Sequence, residues 1–100
     1  MREITDDDFE ATVSKGTTVL VDFYSTFCPP CKVLQPILER LDEDNDGITF
    51  VKINVDDQML HASRNGVTSL PTLILFVGGY EERRHVGAMS APALKTWLGV

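Results

Sequence analysis

The sequence is sparing with the residues on which most specialised chemistry is built. Its 100 residues hold two cysteines, two histidines and one tryptophan, with nine Lys and Arg against fifteen Asp and Glu. The resulting net charge of −6 argues against nucleic-acid binding, which concentrates basic side chains on one face. No apolar run approaches the ~20 residues that cross a bilayer. Met1-Arg2-Glu3-Ile4 passes almost at once into capped structure and lacks the apolar stretch of a secretory signal. The expected setting is a reducing cytoplasm, with neither membrane nor nucleic acid as partner.

Structural disulfides are rare in such a setting, so two cysteines point to redox or metal chemistry. A zinc site needs about four ligands. Only His61 and His85 could complete one, and they stand far apart without the usual His-x₃₋₅-His spacing. Each histidine is read as a surface residue, and no metal is expected.

What remains is the composition of an ordinary globular chain, 43% hydrophobic and 24% charged, with the length of a single domain over residues 1–100. The acidic runs Asp6–Asp8 and Asp42–Asp46 read as caps and solvated faces. Thr5 caps a first helix carrying the i, i+4 pair Phe9 and Val13 and stopped by Gly16. Residues Thr18 to Tyr24 form a strand that is apolar on both faces except at Asp22, the pattern of the middle of a covered parallel sheet. The Cys28-Pro29-Pro30-Cys31 run opens the next helix, whose buried stripe is Leu34, Ile37, Leu38 and Leu41. Residues 48–55 form a second strand, and Asp56 caps a short helix ending near Gly66. Residues 72–77 form a third strand, and Gly78-Gly79 signals a hairpin into a charged edge strand over 80–86. Ser90 caps a last helix with Leu94, Trp97 and Leu98. Alternating strands and helices closed by a hairpin imply an α/β fold, a mixed sheet of four to five strands with helices on both faces.

The cysteine spacing has a direct physical consequence. Two cysteines one helical turn apart can join with little backbone change. The first lies at the helix N-terminus, where free N–H groups and the positive dipole end favour a thiolate, the attacking species. Cys28 is therefore the candidate nucleophile, and Cys31, one turn inside, the candidate resolving thiol. Asp22 interrupts an apolar strand. If buried, its pKa is raised toward neutrality, which suits a proton carrier; at a frayed strand end it would be ordinary.

The run from Val21 to Lys32, followed in order by Pro36, Lys52, Leu70-Pro71-Thr72, Gly79 and Val86-Gly87-Ala88, closely resembles the thioredoxin family over essentially the whole chain. The resemblance implies the thioredoxin fold and a protein disulfide reductase without cofactor. Cys28, Cys31 and Asp22 would carry the chemistry, with Lys52 as the charge partner of Asp22. It also implies a cis Pro71 beside the disulfide. Phe27, Pro29, Pro30, Leu70, Pro71 and the Val86-Gly87-Ala88 turn would then form an apolar docking surface. The implied partners are disulfide-containing proteins and a thioredoxin-reductase-like or other dithiol reductant, acting on a monomer. A disulfide oxidase or isomerase of the same fold, or a non-catalytic binding module, would share these features.

The chain departs from the family's usual Trp-Cys-Gly-Pro-Cys in having Phe27 before the first cysteine and Pro29-Pro30 between the pair. Both prolines fall in the first helical turn, where a missing N–H costs the helix little. They do remove one backbone donor from the neighbourhood of the Cys28 sulfur. The expected thiolate is thus stabilised, but less than the most acidic of the fold, at ~3.5.

Overall fold

The computed structural model describes residues 1–100. It contains β1 (Arg2–Glu3), α1 (Asp6–Thr12), β2 (Thr18–Tyr24), α2 (Pro29–Asp44), β3 (Thr49–Asn54), α3 (Leu60–Arg64), β4 (Thr72–Val77), β5 (Tyr80–Val86) and α4 (Ala91–Leu98). The strands form one mixed sheet in the order β1-β3-β2-β4-β5, parallel from β1 to β2 and antiparallel from β2 to β5.

Strand alternation sends the side chains of β2 and β3 into two separate cores. Val19, Val21, Phe23, Val51 and Ile53 meet Phe9 of α1 and Ala62 of α3 on one face. Leu20 and Phe50 meet Leu34, Leu38 and Leu41 of α2 and Leu94 and Leu98 of α4 on the other. Asp22, Tyr24 and Lys52 follow the phase of Leu20 and Phe50, so they belong to the α2 side. The hairpin closes at Gly78 and Gly79 with φ of +62° and +88°, a backbone that side chains other than glycine rarely adopt.

One strand that the sequence does not announce is present, and three sequence expectations are corrected. Arg2–Glu3 is a strand, paired parallel to Val51 and Lys52; two residues carry no periodicity, so only a partner strand reveals them. The first helix ends at Thr12, and the amide of Val13 closes it on the Phe9 carbonyl well before Gly16. Asp56 caps no helix: α3 starts at Leu60, where the Asp6 carboxylate accepts the amides of Leu60 and His61 at 3.1 and 3.0 Å. His61 is buried rather than on the surface, because α3 lies against α1 and its ring stacks on Phe9 at 4.2 Å.

Candidate active site

Cys28 is the N-cap of α2, with extended backbone at φ −106° and ψ 105°. Its sulfur accepts the backbone amide of Cys31 at 3.3 Å, the one first-turn donor that Pro29 and Pro30 leave nearby. The two cysteines form a disulfide with a Cα–Cα separation of 5.3 Å. Their exposures differ as attack and resolution require. Cys28 is half-buried and Cys31 only 3% exposed, while the neighbouring Phe27 ring is 85% exposed.

Asp22 is fully buried, and neither carboxylate oxygen accepts a hydrogen bond. It occupies the central strand, paired with Lys52 on one side and Leu73 on the other, so a frayed end is ruled out. Burial disfavours its charged form and pushes the pKa up to about 7; the Lys52 ammonium pulls in the opposite direction and only partly offsets this. A small open pocket of about 160 Å³ connects Lys52 and Tyr24 with Ser25 and the buried Cys31.

The Leu70–Pro71 bond is cis. Pro71 accepts the amide of Gly87 at 2.8 Å, and Thr72 pairs with Val86, so Leu70-Pro71 and Val86-Gly87 sit side by side at the end of β4. Val86 is 53% exposed, Gly87 half-buried and Ala88 exposed. No hydrogen bond joins this group to the Phe27–Pro30 segment.

Sequence reading missed the residues that hold the Cys28 loop in place. Ser25 is buried, donates to both oxygens of Asp56 at 2.9 and 2.8 Å, and accepts the Phe27 amide at 3.1 Å. The Cys28 amide then closes on the Ser25 carbonyl at 3.3 Å. A serine after a strand reads as a turn residue, and Asp56 as a helix cap; only the fold shows them meeting across 31 positions. Ser25→Ala removes a charge-assisted bond and leaves the Phe27 amide unpartnered. The expected loss is about 2 kcal/mol in denaturant unfolding of the oxidised protein. A change below ~0.5 kcal/mol would mean that the loop is held by other contacts.

Comparison with known proteins agrees with this geometry. Residues 1–99 match the protein-family description Thioredoxin. The chain is 41% identical over 95 residues to a thioredoxin of Streptomyces clavuligerus, covering 94% of this chain and 89% of that one. It is 43% identical over 81 residues to the mitochondrial thioredoxin-2 of Schizosaccharomyces pombe, covering 81% of this chain and 61% of that protein's length. Among solved structures, the thioredoxin of Malassezia sympodialis (Mala s 13) superposes with a TM-score of 0.89 at 29% identity, over 99% of this chain and 88% of that one.

Proposed function

Because this chain belongs to the thioredoxin family and is a protein disulfide reductase, we propose that it works through Cys28 as nucleophile, Cys31 as resolving thiol and Asp22 as proton carrier. The observation that carries this assignment is the disulfide at the head of α2, one cysteine half-open and the other shielded, with an unpartnered carboxylate buried in the strand below.

The Cys28 thiolate attacks one sulfur of a substrate disulfide; the S–S bond breaks and the departing sulfur leaves as a thiolate that takes a proton. Cys31 then gives its proton to ionised Asp22, attacks the Cys28 sulfur and expels the second substrate thiolate. Two electrons have moved from the dithiol to the substrate, and the Cys28–Cys31 disulfide remains. Lys52 holds down the pKa of Asp22, keeping part of the population ionised near neutral pH. Phe27, Pro29 and Pro30 flank the attacked sulfur, and Leu70, Pro71, Val86, Gly87 and Ala88 supply the second half of an apolar docking surface.

A thioredoxin-reductase-like or other dithiol donor restores the pair, and no metal or bound cofactor takes part. We place the protein in the cytoplasm as a monomer whose residues 1–100 form a single domain. No helix is long and apolar enough to cross a membrane.

The Cys-Pro-Pro-Cys sequence makes the reduction potential the most informative measurement. Equilibration with glutathione redox buffers is expected to give a value nearer −270 mV, where thioredoxin reductants lie, than about −120 mV, where strong oxidants lie. A potential above about −180 mV would instead assign the chain to disulfide formation or isomerisation.

A further inference from the structure

The row of residues that flanks Asp22 contains a device that the disulfide chemistry does not by itself require. Glu3, Lys52 and Asp22 are register partners on the adjacent parallel strands β1, β3 and β2, so the three side chains share one face at one level. Tyr24, two residues beyond Asp22, shares that face. Lys52 thus stands between two carboxylates, one exposed and one buried.

An exposed glutamate on the neighbouring strand is the natural cross-strand partner for a lysine. Yet Lys52 makes no ion pair with either carboxylate; its ammonium lies over the Tyr24 ring, 5.6 Å from the centroid. Glu3 instead accepts the Tyr24 hydroxyl at 2.7 Å through one carboxylate oxygen, which turns that carboxylate toward the tyrosine rather than the lysine. One tyrosine therefore holds both members of the competing pair apart, the carboxylate through its hydroxyl and the ammonium through its ring. Burial and the bond to Glu3 both raise the Tyr24 pKa, so the phenol stays protonated and keeps donating across the working pH range.

The remaining surroundings of Asp22 offer Lys52 few alternatives. β4 presents Leu73, and α4 packs on this side through apolar Leu94 and Leu98. From α2, Glu39 feels the Lys52 charge, but its oxygens hold the Met1 amino group at 2.9 Å and Gln35 at 2.8 Å. The Met1 amino group also contacts Asp42 at 3.2 Å. Cys31 and Lys32 border the pocket that Lys52 lines, and Asp57 acts on Tyr24 from the turn that follows β3.

We propose that Tyr24 is a positioning residue: by engaging Glu3 and carrying the Lys52 ammonium on its ring, it keeps that charge available to Asp22 and sets the pH at which Asp22 exchanges its proton. The catalytic consequence rests on Asp22 being the proton carrier, whereas the titration is read without turnover.

The test follows the carboxylic-acid C=O band of Asp22 by infrared difference spectroscopy of the oxidised protein, the band being identified by its loss in Asp22→Asn. In Tyr24→Phe the ring remains but Glu3 is released to pair with Lys52. Losing part of the lysine's influence, Asp22 is expected to titrate about half a pH unit higher. Adding Glu3→Gln removes the competing charge and is expected to return the midpoint to the wild-type value, a rescue that a purely structural role for the hydroxyl would not produce. An unshifted midpoint in Tyr24→Phe overturns the proposal, as does a shift that persists in the double variant. Absence of any titrating Asp22 band in the wild type would overturn it together with the proton-carrier assignment.

Discussion

Cys28→Ser is expected to reduce the rate of protein disulfide reduction to the uncatalysed background, a loss on the order of 10³-fold or more. The hydroxyl that replaces the thiol is not ionised near neutral pH, and the Cys31 amide and dipole at the head of α2 cannot make it so. Cys31→Ser is expected to abolish turnover by a different route. Cys28 stays half-open at the N-cap, and loss of the disulfide frees its sulfur for attack. The first exchange then proceeds, but no thiol is left one turn away to break the mixed disulfide. Incubation with an oxidised protein substrate should give one covalent adduct per chain, dissolved by dithiothreitol and visible by mass spectrometry. The pair of results separates catalysis from docking. A module that only binds its partners would keep its affinity in both variants and would form no adduct in either. Retention of turnover in Cys31→Ser would transfer the resolving role to an external thiol.

The parts of this site that were legible in the sequence are those written in local spacing. The Cys-x-x-Cys at a helix start needs only four residues and a preceding strand to be read, and α2 opens at Pro29. Asp22 was legible as a polar residue in an apolar run, and its burial in the central strand follows from the sheet order. What escaped reading depends on contacts between distant segments. β1 is two residues long and exists only because β3 is there to pair with it. Ser25 and Asp56 each have a common local use, and neither hints that they meet. His61 looked like a surface residue because one polar residue in a five-residue helix has no periodicity to place it; α1 covers it through Phe9. Tyr24 and Glu3 stand 21 positions apart, and their bond is decided by the parallel register of three strands.

The second large effect is on stability, and its sign follows from the burial of Asp22. In the folded, oxidised protein this carboxyl titrates at about 7, while its ordinary value is 3.8. The native state therefore binds the Asp22 proton more tightly than the unfolded chain does. Below about pH 4 the group is protonated in both states and imposes no ionic cost. As pH rises from about 4 to 7, the unfolded chain releases the proton while the native state retains it, so stability falls by about 1.4 kcal/mol per unit. Above about pH 7 the native group ionises too, and the accumulated loss levels off at about 4 kcal/mol. Asp22→Asn cannot ionise and is free of this dependence. Denaturant unfolding of the two oxidised proteins between pH 4 and pH 8 should show the difference moving in favour of the variant by up to that amount. The other carboxylates cancel in the comparison, because they are common to both proteins. A difference that stays constant across the range would show that Asp22 titrates near its ordinary value, and the proton-carrier role would fall with it. The same substitution is expected to slow release of the mixed disulfide near neutral pH, because Cys31 loses the base that receives its proton. A gain in stability alongside a loss in resolution is what an ionisable group kept in the core for its chemistry should produce. Either effect alone would point to a buried acid with only one of these two consequences.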